Sequence, residues 1–216
     1  MNEPAIPLIL ATRNRKKGVE MAGLVAPPWD PGPRLSRLAV ANLDAWPDLP
    51  EVVEDAPDFA GNARKKASET ARALGLWVLA DDSGLAVDAL GGAPGVLSAR
   101  YAGGHGDDLA NNRKLIEALR DVPAERRGAA FVCTMALADP SGQIRLESRG
   151  ECRGRIVDEP RGPHGFGYDP HFLIPEYHRT FGELGSVVKS QLSHRSRAFA
   201  HLRPALDRLI ASGALG

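Results

Sequence analysis

Residues 129–156 read AAFVCTMALADPSGQIRLESRGECRGRI. Two long strand-like runs, 129–138 and 144–156, flank Asp139-Pro140-Ser141-Gly142, the residue types from which tight turns are made. An antiparallel hairpin in mid-chain is incompatible with a purely parallel, doubly wound sheet. It predicts an α/β fold built on a mixed sheet with flanking helices.

Outward from the hairpin, strands and helices intermix. Leu8-Ile9-Leu10-Ala11 reads as a buried strand that stops at Thr12-Arg13-Asn14. A helix over about 15–25 follows, with Thr12 or Asn14 as its cap and Val19, Leu24 and Val25 facing inward. Residues 26–50 are rich in proline and tryptophan and hold one short strand candidate near 38–43; an irregular, mobile segment is expected there. Asp58 reads as the N-cap of an alanine- and lysine-rich helix, 59–74, that ends at Gly75. Trp77-Val78-Leu79-Ala80 reads as a second buried strand ending at Asp81-Asp82-Ser83-Gly84, and 107–119 as a helix. Beyond the hairpin come a glycine-rich loop at 162–169, a short strand at 172–174 and a closing helix at 193–210. There is no internal repeat or low-complexity tract.

The 216 residues suffice for one large domain or two lobes sharing a sheet. Hydrophobic residues at 43% supply a sizeable core, and charged residues at 25% exclude a disordered chain. The 27 basic and 27 acidic residues argue against a surface built for long nucleic acid, while allowing a local basic pocket. Cys133 and Cys152 are too few for a disulfide framework and read as buried free thiols. No apolar run reaches the roughly 18–20 residues of a membrane span. Residues 1–7 lack the basic-then-apolar order of a secretory signal, so a cytoplasmic location is expected.

Several segments can carry chemistry. Thr12-Arg13-Asn14-Arg15-Lys16-Lys17 lies where a strand hands over to a helix, and helix N-termini offer N–H groups to anions. A capped helix with solvated lysines is the alternative, and the glycines of a P-loop are absent. Asp81-Asp82-Ser83-Gly84 puts adjacent carboxylates at a strand end, suited to a hard cation and to activating water; a turn explains the same residues. Glu51, Glu54, Asp55 and Asp58 can supply a further metal ligand or a solvated acidic loop. In the lysine helix, Arg64, Lys65 and Lys66 cannot all face one way. In the loop Gly162 to Pro170, Phe166 can stack on a base and Asp169 can accept from a purine N–H, or the ring can be simply buried. Lys189 and Ser193-His194-Arg195 offer cationic donors near another helix start, with His194 alternatively a helix cap. His164, His171 and His178 lie seven apart and do not match helical zinc-ligand spacing.

Taken together, these segments resemble the inosine triphosphatase family, also called dITP/XTP pyrophosphatases. Five blocks carry the resemblance in order: residues 10–17 (LATRNRKK), 62–67 (NARKKA), 80–101 (ADDSGLAVDALGGAPGVLSARY), 165–170 (GFGYDP) and 193–195 (SHR). The third and fourth are the most specific. The resemblance spans nearly the whole chain and implies an elongated, two-lobed α/β domain with a cleft between the lobes, and a homodimer. It implies Mg2+-dependent hydrolysis of nonstandard purine nucleoside triphosphates to monophosphate and pyrophosphate.

Carried over residue by residue, Thr12, Arg13, Asn14, Arg15, Lys16, Lys17 and Lys66 would hold the triphosphate. Asp82 would be the catalytic acid/base and a metal ligand, with Asp81 beside it, and Ser83 would contact substrate. Phe166, Gly167, Tyr168, Asp169, Lys189, His194 and Arg195 would hold the base and sugar. The family usually has a small residue or histidine at Arg13 and a glutamate at Gly61, and often paired glutamates near Glu54, here preceded by Val53. The second metal ligand is assigned to Glu54. Rival readings are a septum-inhibitor type nucleotide pyrophosphatase, against which the SHR and FGYDP blocks count, and a catalytically silent nucleotide- or RNA-binding module, against which the paired aspartates and neutral charge count.

Overall fold

The computed structural model describes residues 5–27, 32–104 and 106–215. Residues 1–4 of the N-terminus, and residues 28–31 of the segment expected to be irregular, lie outside them. The described elements run, in chain order, β1 (Ile6–Leu10), α1 (Arg15–Val25), α2 (Gly32–Leu35), β2 (Leu38–Asn42), α3 (Phe59–Leu74), β3 (Trp77–Val87), α4 (Asp108–Ala118), β4 (Gly128–Ala138), β5 (Ile144–Ile156), β6 (Phe172–Ile174), β7 (Arg179–Thr180), α5 (Ser186–Leu192) and α6 (His194–Ala211), with short 3-10 turns among them. Among the described residues, seven strands form one sheet in the order β2-β1-β3-β4-β5-β6-β7. β1 pairs parallel with β2 and β3, whereas β6 pairs antiparallel with β5 and β7. The fold is a mixed α/β fold with a large mixed sheet and helices, as the central hairpin implies.

Local chemistry sets the element ends. The Asn14 side chain caps α1 by accepting the Lys17 N–H at 3.1 Å, and Asp58 caps α3 by accepting the Gly61 N–H at 2.7 Å. The Gly75 N–H closes α3 on the Ala71 carbonyl at 2.8 Å. In the hairpin turn, Asp139 Oδ1 accepts from the Ser141 N–H (2.9 Å), the Ser141 hydroxyl (2.6 Å) and the Gln143 N–H (3.1 Å).

The structure corrects several local expectations. β3 does not end at Asp81; it continues through Asp81-Asp82-Ser83-Gly84 to Val87. Side chains from other elements neutralise its two acids, and that overrides the turn preference of the four residues. Val19 is 67% exposed, while α1 buries Gly18, Met21 and Val25; the inward stripe of the helix is centred about 130° away from Val19. The segment 26–50 contains α2 as well as the expected strand, β2. α5 had no counterpart in the sequence reading.

The chain divides into two compact units. One comprises Met1–Asp82, Thr134–Gly150 and Ala198–Gly216; the other comprises Ser83–Cys133 and Glu151–Arg197. The first packs α3 through Ala63, Ala67 and Ala71 onto Ile9, Val78, Ala80, Ala136 and Ala138. Small residues along this face let the helix approach the strands closely. The second unit buries Leu85, Leu115, Phe131, Phe172 and Phe181 in one cluster, with the Phe131 and Phe172 ring centroids 4.6 Å apart. Cys133 and Cys152 are both buried, and no disulfide joins them. Burial pushes the Cys152 thiol up to about 11. Among the described residues no helix is long and apolar enough to cross a membrane.

Candidate active site

Two acids of the first unit come from β3. Asp81 and Asp82 are both buried. α3 presents Asn62 and Lys66 to them, four residues apart and therefore on one helix face. The Lys66 ammonium lies 2.7 Å from Glu54 Oε1 and 3.6 Å from Asp82 Oδ1. Asn62 donates from Nδ2 to Asp82 Oδ2 at 3.0 Å, and its Oδ1 accepts the Ala56 N–H at 2.9 Å. One buried amide thus ties the acidic loop before α3 to the carboxylate in β3. Lys17, one turn into α1, lies 4.0 Å from Asp81 Oδ2.

Charge balance follows from these contacts. Burial pushes the Asp82 carboxyl above the usual carboxylate range, against the pull of Lys66 and Lys17. Burial alone would depress Lys66, but Asp82, Asp81 and Glu54 together outweigh it and hold its pKa above that of an ordinary lysine. Lys66 is therefore a cation, and Asp82 is a base stronger than a solvent-exposed aspartate. Arg64 and Lys65 turn elsewhere: Arg64 pairs with Glu147, and Lys65 with Asp55 at 2.7 Å. Of the three neighbouring cations, only Lys66 faces the acids.

In the loop after β1, Thr12 Oγ1 accepts the Asn14 N–H at 3.2 Å, and Arg13 donates to the Leu49 carbonyl. Arg15 and Lys16 are exposed at the start of α1. Gly61, where the resemblance leads one to expect glutamate, faces Ala56: a Cβ there would lie 2.6 Å from the Ala56 methyl. The acidic loop packs against bare backbone at that point.

The second unit holds the other predicted residues. Arg195, 1% exposed, donates from Nη2 to Ser83 Oγ at 2.8 Å. His194 stacks on Phe131 with centroids 5.0 Å apart and planes 15° apart. It is not the helix cap; Ser193 Oγ accepts the Ser196 N–H at 3.2 Å. Lys189 Nζ lies 2.7 Å from Asp169 Oδ2 and 4.5 Å from the Phe166 ring centroid. The same Asp169 oxygen accepts the Phe166 N–H at 2.8 Å. The Tyr168 hydroxyl donates to the Ser98 carbonyl at 2.8 Å, and burial raises its pKa far above the ordinary phenol value. His171 Nδ1 contacts the Val157 carbonyl at 2.8 Å.

Within the first unit the structure brings together Lys17, Lys66, Asp82 and Glu54; within the second, Ser83 with Arg195, and Phe166 with Asp169 and Lys189. Asp82 and Ser83 are consecutive residues of β3. The sequence reading missed Asn62, although its i, i+4 spacing from Lys66 was a usable signal. It also missed Asp108 and Asn112, which bond to Gly167.

Residues 8–205 match the model of the Ham1 family. A dITP/XTP pyrophosphatase of Rhodopirellula baltica is 54% identical over 205 residues, 95% of each chain. One from Desulforamulus reducens is 46% identical over 202 residues, 94% of this chain and 96% of its own. Among solved structures, a HAM1 protein from Coxiella burnetii superposes with a TM-score of 0.80 at 34% identity, covering 96% of this chain and 99% of that one. A nucleoside-triphosphatase / dITP/XTP pyrophosphatase from Mycobacterium abscessus superposes with a TM-score of 0.72 at 42% identity, covering 91% and 98%.

Proposed function

Because the chain belongs to the Ham1 family, we infer that it is a pyrophosphatase hydrolysing nonstandard purine nucleoside triphosphates (ITP, dITP and XTP) to monophosphate and pyrophosphate. The observation that carries this reading is the buried pair Asp81-Asp82 faced by Lys17 at 4.0 Å and Lys66 at 3.6 Å. A triphosphate brings about four negative charges, and fixed cations of this kind offset them as they do in phosphoryl transfer generally.

Thr12, Arg13, Asn14, Arg15, Lys16 and Lys17, with Lys66, bind the phosphates, helped by the N–H groups at the start of α1. A water oxygen attacks the α-phosphorus, the Asp82 carboxylate takes its proton, and pyrophosphate leaves. Ser83, Phe166, Gly167, Tyr168, Asp169, Lys189, His194 and Arg195 hold the nucleoside. Arg195 selects the base: its guanidinium can only donate, which suits the 6-oxo acceptor of inosine and xanthosine and opposes the 6-amino donor of adenine.

The donor set fits magnesium. Glu54, Asp81 and Asp82 offer only oxygen ligands, which this hard ion takes, and Mg2+ keeps waters and substrate phosphates beside one or two carboxylates. A cage of three or more His, Cys, Asp or Glu side chains, of which there is none among the described residues, is therefore not required. The Lys66 ammonium between Glu54 and Asp82 marks these acids as a seat for positive charge. Asp82 and Glu54 would hold the ion, which when bound withdraws charge from the phosphates. On the same reading the enzyme is a cytoplasmic homodimer with no nucleic-acid or membrane partner; the balance of 27 basic and 27 acidic residues supports the absence of nucleic acid.

Malachite green detection of phosphate, with inorganic pyrophosphatase added, tests this over a panel of nucleotides with and without Mg2+. Release from ITP, dITP and XTP that needs both additions is the expected result. Turnover confined to pyrimidine nucleotides, or none on any, overturns it.

A further inference from the structure

The loop proposed to hold the base is fixed by a helix that lies outside the resemblance blocks. Gly167 has φ +60°, a left-handed conformation that other residues adopt only with strain. Its N–H donates to Asp108 Oδ2 at 2.8 Å, and its carbonyl accepts from Asn112 Nδ2 at 3.0 Å. The first bond fixes the Phe166–Gly167 peptide and the second the Gly167–Tyr168 peptide. Both peptides beside Phe166 and Tyr168 are thus held by two side chains one helical turn apart.

The helix itself is a firm support. Asp107, not Asp108, caps α4 by accepting the Ala110 N–H at 2.9 Å, which leaves the neighbouring carboxylate directed at the loop. Asn111 accepts the Ala102 N–H at 2.7 Å and donates to the Ala99 carbonyl at 3.3 Å. Leu115 and Leu119 are fully buried below. Two adjacent acids and two adjacent asparagines therefore divide their work, one of each anchoring the helix region and one of each reaching Gly167.

We propose that Asp108 and Asn112 are positioning residues for nucleotide binding: by locking Gly167 they hold the Phe166 ring in its base-stacking place before a nucleotide arrives. The proposal rests on the reading of Phe166 as a base-stacking residue. A loop ordered in advance loses less freedom on binding, so its anchors act on affinity rather than on the chemical step.

The test compares Asp108→Ala, Asp108→Asn and Phe166→Ala by steady-state kinetics on ITP and by thermal melting. Loss of one charge-assisted hydrogen bond predicts a KM raised about tenfold in Asp108→Ala, with kcat within about twofold of wild type. Asp108→Asn keeps an acceptor oxygen and recovers most of the loss. A merely structural role gives a different signature, a lower melting temperature with kcat falling and KM unmoved, and that result overturns the proposal. Unchanged KM in Asp108→Ala alongside raised KM in Phe166→Ala overturns the clamp while the stacking reading stands. Unchanged KM in Phe166→Ala overturns the stacking reading and the clamp with it.

Discussion

Asn62 and Asp82 share a buried hydrogen bond, Nδ2 to Oδ2 at 3.0 Å. It orients the carboxylate that the chemistry requires and leaves Oδ1 on the side of Lys66. Because the Asn62 carbonyl also takes the Ala56 N–H, the same amide sets the path of the loop that carries Glu54. Position 62 therefore controls two acids from one point on α3.

Replacing Asn62 by alanine strands a buried carboxylate oxygen and a backbone N–H together. A lost hydrogen bond to a charged buried group costs roughly 1.5–3 kcal/mol, so urea unfolding should show a lower midpoint for Asn62→Ala. Turnover should fall by about tenfold or more through misplacement of Asp82. Asn62→Asp, which sets a third acid against Asp82, should be the worse of the two in both measurements. Wild-type kcat in Asn62→Ala rules out its role in aiming Asp82.

Asp82→Asn keeps the shape of the side chain and removes the base. Lys66 still has Glu54 and Asp81 as counter-charges, so circular dichroism and the melting temperature should stay close to wild type. Turnover of ITP should drop by about a hundredfold or more, the scale of losing a general base. Near-normal turnover would contradict the assignment.

Where the sequence was legible and where it was not has a physical pattern. The bounds of α3 could be read because Asp58 and Gly75 act on their own neighbours, within four residues. The hairpin was legible for the same reason, since Asp139 organises a turn two to four residues away. β3 was misread as ending at Asp81 because the residues that pair with its acids, Lys17, Asn62 and Lys66, lie far off in sequence. α5 escaped notice because Ser186–Leu192 is one short segment whose only core-facing apolar pair is Val188 and Leu192, while it buries Lys189 and leaves Val187 74% exposed. Asp108 and Asn112 were illegible because their common partner Gly167 is 59 and 55 residues downstream. The candidate segments at 12–17, 81–84 and 162–170 could be read from residue type and spacing, whereas the side chains that brace them act across long sequence separations.

The hairpin turn carries a pH signature. Hydrogen bonds from Ser141, with Arg145 and the Gln143 and Ser141 N–H groups, hold the Asp139 carboxyl below its ordinary value of 3.8. A depressed carboxylate pKa means that the unfolded chain binds the proton more readily than the folded one. The stabilisation is thus complete above the unfolded pKa and is lost as pH falls through the lower folded one. Asp139→Asn should be less stable than wild type at pH 7, and the gap should close below about pH 4. Urea midpoints at several pH values check this; a gap that is constant with pH would show that the charge is not the source.

Arg195 makes the sharpest prediction about selectivity. It is 1% exposed and its Nη2 is held by Ser83 Oγ at 2.8 Å, so the guanidinium is placed before any base is present. A donor fixed in this way rewards an acceptor and penalises another donor, since a buried donor left unpaired costs roughly 1–3 kcal/mol. Arg195→Ala should therefore lower kcat/KM for ITP by about a hundredfold or more, and for ATP by less than about tenfold, because ATP never gained from the contact. Arg195→Lys keeps the charge but not the planar fork and should fall between the two. The measurement is the ratio of kcat/KM for the two nucleotides in each variant, which cancels any shared loss of folded enzyme. A ratio unchanged from wild type would mean that Arg195 braces Ser83 alone, and base discrimination would have to come from the backbone of the Phe166 loop.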